Sequence, residues 1–278
     1  MGIAKKGWEV ERERRRIMSK YMEPFSNLRR LFRPSPTSRN FNNLFDPDPY
    51  YDAFRKNIEA CCEIAFRYDI VADEESGRLL GGRNIYQNST LMELRVASLF
   101  ENYFGRGCLK WDPPTRSGKI GEFILNIADL HIFTEVKTIE IQSYRENGTL
   151  NSNENSVENA LRRAYEKVKE GIEIPFLVVL CHNHYNVEIS DFEITRVVLG
   201  LLAIEDGVPG VISRGFCSPD IHRKLSAIGL YYYNFSPYTP EYFEIYHNQY
   251  ANIQLDDQIF ENKADKQFCL PEWNGNFE

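Results

Sequence analysis

Three charged residues whose side chains could do chemistry together, Glu122, Glu135 and Lys137, lie in one short and largely apolar stretch of the chain. Carboxylate oxygens are the ligands that Mg²⁺ prefers, and the ion keeps several waters when it binds. A metal-bound water beside an ammonium group can attack a phosphate, because both cations stabilise the negative charge that develops. This chemistry requires an element that brings the three side chains together.

Two β-strands are predicted around these residues. Residues 119–127 and 130–139 are rich in β-branched and aromatic side chains, with Ala128-Asp129 between them. A two-residue hairpin loop at Ala128-Asp129 pairs Ile127 with Leu130, so that cross-strand partners have residue numbers that sum to 257. A four-residue loop keeps this register, whereas a three-residue loop shifts it by one residue.

The predicted register places the three charged residues on one face of the hairpin. Glu122 lies opposite Glu135, and directly opposed residues have Cβ atoms about 5 Å apart. Lys137 follows Glu135 by two residues and points the same way, because side chains alternate along a strand. Neighbouring glutamates destabilise a hairpin unless something neutralises them. Lys137 offsets one charge, and a bound Mg²⁺ would offset the rest.

A surface hairpin that carries an ordinary Glu–Lys ion pair is the competing interpretation, because such pairs are common and weak. The residues around the charges argue for a buried strand instead. Phe133, Val136 and Ile139 flank the two charged positions of the second strand.

Helices and a further strand are predicted on either side of the hairpin. A helix over residues 91–104 carries Glu93 and stops at Gly105, and a second helix covers 157–169. The continuous apolar run at 176–181 is typical of a central strand covered on both faces. Capping signals at Ser190 and Glu193 predict another helix that extends to about residue 202.

The hairpin run E-F-I-L-N-I-(A-D)-L-H-I-F-T-E-V-K-T resembles the core hairpin of the PD-(D/E)xK nuclease superfamily. The family order of a glutamate-bearing helix, the hairpin, a second helix and an apolar strand is also present. The resemblance implies a restriction-endonuclease-like α/β fold, with a mixed central β-sheet flanked by helices. It implies that Glu122, Glu135 and the carbonyl of Val136 bind Mg²⁺ or Mn²⁺. Lys137 would orient the attacking water, and Glu93 would be an additional carboxylate.

Two residues of this set have other interpretations. Thr90-x-x-Glu93 is also a capping box, so Glu93 can be favoured for local reasons at the start of a helix. Glu122 follows Gly121 where the family usually has Asp after Pro, and its extra methylene shifts the carboxylate. Asp112, in Asp112-Pro113-Pro114, could supply the acid instead, although Asp-Pro-Pro is typical of a turn.

The charge of the chain is distributed unevenly. The net charge is −7, but residues 1–39 contain eleven Lys or Arg and four Glu, a local charge of +7. A basic helical arm of this kind can contact nucleic-acid phosphates. The alternative is a solvated helix whose charges pair within it or dock on the acidic body. The residues predicted to contact phosphates are Arg12, Arg14, Arg15, Arg16, Arg29 and Arg30.

The chain is therefore expected to comprise a basic helical arm with a Pro-rich linker (1–50), a nuclease-like α/β domain (51–255) and an acidic C-terminal tail (256–278). No run of about 18 apolar residues is present, so no membrane association is expected. The N-terminus lacks an apolar signal core, and the six cysteines form no C-x-x-C pair, which favours a cytoplasmic protein.

The sequence thus predicts a Mg²⁺-dependent nuclease (or one that uses Mn²⁺) whose partner is DNA. A catalytically inactive nuclease-fold protein that binds nucleic acid or protein is the alternative, and an acidic assembly protein is a third. No Walker-type phosphate loop, G-x-G-x-x-G or G-x-S-x-G motif occurs, so nucleotide hydrolysis, dinucleotide binding and serine hydrolysis lack support. The oligomeric state is left open, a homodimer included.

Overall fold

The structure is a computed structural model in which the chain divides into two compact units. The first comprises Met1–Ser98 and Phe235–Tyr238, and the second comprises Leu99–Asn234 and Thr239–Glu278. The described residues are 12, 16, 20, 22–31, 48–68, 84–111, 123–139, 143–144, 150–151, 154–167, 173–182, 197–198, 200–205, 208–217, 222–232 and 241–269.

The first unit is helical over its described residues. It contains α1 (Ser26–Leu31), a 3-10 turn at Pro49–Tyr51, α2 (Asp52–Arg67) and most of α3 (Asn84–Phe104). The carboxylate of Asp48 accepts a hydrogen bond from the backbone N–H of Tyr50 at 2.9 Å, so it caps the turn that precedes α2. The core side of α2 consists of apolar side chains at helical spacing, which are Ile58, Cys61, Cys62, Ile64 and Ala65.

The α3 helix corrects one prediction and confirms another. It begins at Asn84, so Thr90 and Glu93 lie inside the helix and the capping-box interpretation of Glu93 is wrong. The signature is local, and residues 84–89 contain no Gly or Pro that would stop the helix from extending upstream. The predicted stop is correct, because Gly105 follows the helix with a φ of 94° and its N–H donates to the carbonyl of Glu101.

The second unit contains a seven-stranded mixed sheet, which confirms the predicted α/β class. Its strand order is β1-β2-β3-β6-β9-β10-β11, and two smaller sheets pair β4 with β5 and β7 with β8. The strands are β1 (Leu109–Trp111), β2 (Phe123–Ile127), β3 (Leu130–Thr138), β4 (Ser143–Tyr144), β5 (Leu150–Asn151), β6 (Phe176–His182), β7 (Gly200–Glu205), β8 (Val208–Arg214), β9 (Ala227–Tyr232), β10 (Tyr242–His247) and β11 (Lys266–Cys269).

The β2–β3 hairpin has the predicted register. Ile127 pairs with Leu130 and Phe123 pairs with Thr134, so the partners' numbers sum to 257 along the whole of β2. Ala128 adopts a φ of 50° in the two-residue loop, a left-handed conformation that the primed hairpin turns require. The loop length therefore sets which side chains of β2 lie opposite those of β3.

The α4 helix (Glu154–Lys167) connects β4 and β5 to β6 and packs on β3 and β6. Because β6 pairs with β3 in parallel, it needs a crossover connection of this kind. The helix and the strand confirm the elements predicted at 157–169 and 176–181. One buried cluster on this face of the sheet includes Phe133, Val157, Leu161, Ala164, Phe176, Val178, Leu180, Ile228 and Leu230.

The opposite face of the sheet packs around the aromatic ring of Phe100, at the end of α3. Its centroid lies 6.0 Å from Phe123, 5.9 Å from Phe243 and 6.0 Å from Phe260. On β9, a Cβ added to Gly229 would lie 2.7 Å from Cε2 of Phe243. The absence of a side chain at Gly229 is thus what lets the Phe243 ring approach the strand.

The C-terminal part of the chain joins the sheet. A 3-10 turn at Asp257–Phe260 precedes β11, which pairs with β10 in parallel at the sheet edge. The helix predicted to extend to residue 202 is only partly present, because Val197 and Val198 are helical whereas β7 begins at Gly200. Among the described residues, none of the helices has the length and apolar character that crossing a membrane requires.

Candidate functional site

Glu135 and Lys137 lie on one face of β3, as the alternation of the strand requires. The Lys137 ammonium forms an ion pair with Oε1 of Glu135 and donates to the carbonyl oxygen of Val136 at 3.3 Å. The carboxylate and the carbonyl therefore converge on the same cation. These are two of the three oxygen donors that the sequence predicts as metal ligands.

The position of β3 in the sheet explains why this carboxylate is buried. β3 lies between β2 and β6, and Glu135 is directly opposite Val178 of β6. The Glu135 side chain is 0% exposed, whereas that of Lys137 is 18% exposed. Phe133 and Val178 share the Glu135 face and belong to the buried apolar cluster. Removing a carboxylate from water in such surroundings is expensive, so its pairing with Lys137 is an energetic requirement.

The structure describes the other residues that were predicted to form the site only in part. Glu122 and Asp112 lie outside the described residues, so the structure gives no position for the second acid. The Val136 side chain is buried on the opposite face of β3, and its contribution to the site is its carbonyl. Glu93 is half-buried in the first unit, whereas Glu135 belongs to the second, so its role as an additional carboxylate stays a prediction.

Only part of the predicted phosphate-contacting arm is described. Arg12 and Arg16 are helical and exposed. Arg30 is also exposed, and its guanidinium lies 3.9 Å from the centroid of the Phe66 ring. Arg14, Arg15 and the side chain of Arg29 lie outside the described part of the chain.

The described donors could hold a metal only in part. Two oxygens, one carboxylate and one carbonyl, are the hard ligands that Mg²⁺ takes, but the ion requires six ligands in octahedral geometry. Within the described ranges, no group of three or more His, Cys, Asp or Glu side chains could hold a metal ion. A metal at Glu135 therefore depends on Glu122 and on water for its remaining ligands.

Two buried cysteines are poorly suited to thiolate chemistry. Burial raises the pKa of the Cys61 thiol to about 11 and that of Cys217 to about 12. A thiol with such a pKa is protonated at neutral pH and is a poor nucleophile.

His222 occupies an apolar environment within the second unit. Its ring stacks on Phe216 at 4.2 Å between centroids and meets the edge of Tyr165 at 4.6 Å. Burial lowers the pKa of His222. The neutral imidazole is therefore the form that this packing favours.

The structure also buries a carboxylate that the sequence did not predict as part of a site. Glu244 on β10 is 6% exposed and accepts a hydrogen bond from the Tyr246 hydroxyl at 2.9 Å. The signal that identifies Glu135, a charge inside an apolar β-strand run, is also present here. Strand pairings through Leu180 and Leu230 place Lys137 and Glu244 in one row on the same sheet face. Three strand spacings of about 4.8 Å separate them, roughly 14 Å, so Glu244 does not join the Glu135 pair.

Comparisons of the chain with protein-family models, with curated proteins and with solved structures found no match.

Proposed function

We propose that this protein is a Mg²⁺-dependent (or Mn²⁺-dependent) nuclease of the PD-(D/E)xK type, with a restriction-endonuclease-like core, that hydrolyses phosphodiester bonds in DNA. The observation that carries the proposal is the convergence of the Glu135 carboxylate and the Val136 carbonyl on one cation, the Lys137 ammonium. Glutamate is almost never fully buried unless it is paired, so the burial of Glu135 beside Lys137 makes this pair a candidate for a functional site.

The arrangement of elements supports the same proposal. The predicted hairpin register holds along all of β2, and the alternation of side chains along β3 puts Glu135 and Lys137 on one face. β3 is then followed by α4 and by β6, which pairs with β3 in parallel. This is the order of helix and apolar strand that the resemblance to the superfamily predicts.

In the proposed mechanism, Glu135, Glu122 and the carbonyl of Val136 would hold the metal ion. When bound, the ion lowers the pKa of a coordinated water and neutralises charge on the phosphate. The Lys137 ammonium, held in place by Glu135, would orient the attacking water through a hydrogen bond. It also stabilises the negative charge of the pentavalent transition state. Its 18% exposure is what gives a substrate access to it.

A second candidate function is supported by the same ion pair. Lys137 already neutralises the buried carboxylate, so the pair is stable without a metal. This favours a catalytically inactive nuclease-fold protein that binds nucleic acid or another protein. A homodimer and a cytoplasmic location stay expectations of the sequence.

Calorimetric titration with Mn²⁺ and cleavage of plasmid and single-stranded DNA test the proposal. Wild type should bind Mn²⁺ and cleave, and Glu135→Gln should lose both activities because it removes the negative charge that holds the metal. Lys137→Met should still bind Mn²⁺ but cleave about 100- to 1,000-fold more slowly, as when one charge-stabilising donor is lost. Glu158→Gln changes an exposed carboxylate on α4 and should behave as wild type. Absence of Mn²⁺ binding and cleavage in all four proteins, with DNA binding retained, would establish the inactive alternative.

A further inference from the structure

A pocket of about 650 Å³ lies within the first unit, beside α2. Its walls contain two lysines and two carboxylates next to an aromatic ring. The lining residues are Lys20, Pro24, Phe25, Asp52, Lys56 and Glu59. The lining has two positive and two negative side chains, which suggests a neutral pocket. The hydrogen-bond and ion-pair partners of these side chains indicate instead that the pocket is positive.

Both carboxylates of the pocket are engaged by donors of the protein. Oδ1 of Asp52 accepts from Nη2 of Arg55 at 2.7 Å and from Nε at 3.2 Å, and Arg55 is 0% exposed. Glu59 binds the first turn of α1, where Oε1 accepts from Asn27 N–H at 2.9 Å and Oε2 from Leu28 N–H at 2.6 Å. The negative charge of the pocket is therefore already compensated.

The two lysines of the pocket differ from the carboxylates in this respect. Lys20 and Lys56 are exposed, and across the described part of the chain their ammonium groups make neither a hydrogen bond nor an ion pair. Arg55 neutralises Asp52, and backbone N–H groups stabilise the charge of Glu59, so with both lysines the lining residues and Arg55 together carry a net positive charge. The local field favours an anion.

Two further basic side chains precede Lys20 in the sequence at regular intervals. Arg12, Arg16 and Lys20 are each helical and exposed, and each lies four residues from the next, which is the spacing of neighbours on one helix face. A nucleic-acid strand presents repeated phosphates, so it complements three such basic side chains better than one free phosphate does.

We infer that Lys20 and Lys56 bind a backbone phosphate of a nucleic acid whose neighbouring phosphates lie along Arg12 and Arg16. The inference deepens the proposed function and rests on its nucleic-acid substrate. It adds Lys56, from a different helix, to the predicted arm. It assigns the contact to a pocket formed between chain segments, whereas the sequence predicts a basic arm alone.

Fluorescence anisotropy with a labelled short DNA duplex tests the assignment in EDTA, where metal-dependent cleavage cannot occur. The slope of log K against log salt should decrease by about 0.9 for the double variant Lys20→Gln/Lys56→Gln, because the two lysines neutralise one phosphate, and by less than that for Lys20→Gln or Lys56→Gln alone. The affinity deficit of the double variant should therefore shrink about 3.5-fold between about 50 and 200 mM salt. Lys20→Arg with Lys56→Arg should keep the wild-type slope, because both charges are retained.

Lys110→Gln is the matched control, because it removes an exposed lysine of β1 in the second unit and should leave the slope unchanged. A bound duplex with the same slope in wild type and in the double variant would overturn the assignment and leave the proposed nuclease function standing. Absence of duplex binding by wild type would overturn the assignment, and absence of cleavage in Mn²⁺ as well would overturn the proposed nuclease function. Calorimetry with inorganic phosphate gives a further outcome. Phosphate binding that is lost in the double variant, with duplex binding unchanged, would identify a free-anion site and overturn the assignment to a nucleic-acid backbone.

Discussion

Replacing Lys137 with Met should destabilise the second unit strongly, because it leaves the carboxylate of Glu135 buried without its ammonium partner. The Glu135 side chain is 0% exposed and its neighbours on the sheet face are apolar. Breaking a buried ion pair by removing one member costs about 3–5 kcal/mol. In a unit of this size 1 kcal/mol lowers Tm by about 2–4 °C, so the expected decrease is about 6–20 °C.

Thermal and urea unfolding monitored by circular dichroism measure this effect in wild type and four variants. Glu135→Gln should cost less than Lys137→Met, since an ammonium that is partly exposed can be solvated by water. The double variant Glu135→Gln/Lys137→Met should recover part of the loss, because no uncompensated charge is left in the core. Lys110→Met, at an exposed position, should change stability by no more than about 0.5 kcal/mol.

A Lys137→Met protein whose Tm lies within about 1 °C of wild type would refute the reasoning. That result would mean that Glu135 is solvated or compensated by another group. It would also remove the basis for the proposed site, because the proposal depends on a carboxylate that the fold holds away from water.

Substitutions at three other residues test the structure at separate points. Gly229→Ala should destabilise by about 1–3 kcal/mol in urea unfolding, because its Cβ would lie 2.7 Å from Cε2 of Phe243. Glu59→Ala should cost about 1 kcal/mol by uncapping α1, whereas Glu59→Gln, which keeps one acceptor oxygen, should cost less. Burial lowers the pKa of His222 in the folded state, so the unfolded state takes up the proton first as pH falls below about 6.5. The free energy of unfolding should therefore decrease from that pH down to the pKa of His222 in the folded state. His222→Asn, which tolerates the residue's φ of 55°, should reduce this pH dependence, and an unchanged pH profile would contradict it.

The features that the sequence predicts correctly are local ones. The register of the β2–β3 hairpin depends only on the length of the loop at Ala128 and on the alternation of strand residues. Together they place Glu135 and Lys137 on one face whatever surrounds the hairpin. The stop of α3 at Gly105 is equally local, because a residue with φ of 94° ends a helix in any tertiary context.

The errors arise where a local signal competes with the rest of the chain. The capping box at Thr90 and Glu93 is a valid signature, but helix formation continues upstream to Asn84 because no Gly or Pro stops it. The helix predicted to extend to residue 202 gives way to β7 at Gly200, because pairing with β8 satisfies the backbone of that segment. The helical periodicity of a segment does not indicate whether that segment will pair as a strand with residues elsewhere in the chain.

Properties that depend on distant contacts were decided only by the tertiary structure. Complete burial of Glu135 requires β6 and α4 to pack beside β3, and their sequence positions do not specify that pairing. The juxtaposition of Lys20 and Lys56 in one pocket likewise requires the helices of the first unit to pack. The amino-acid sequence by itself determines which side chains of one element share a face, through the periods of strand and helix. The tertiary structure determines which of those faces lose contact with water, because burial is the sum of contacts from elements far apart along the chain.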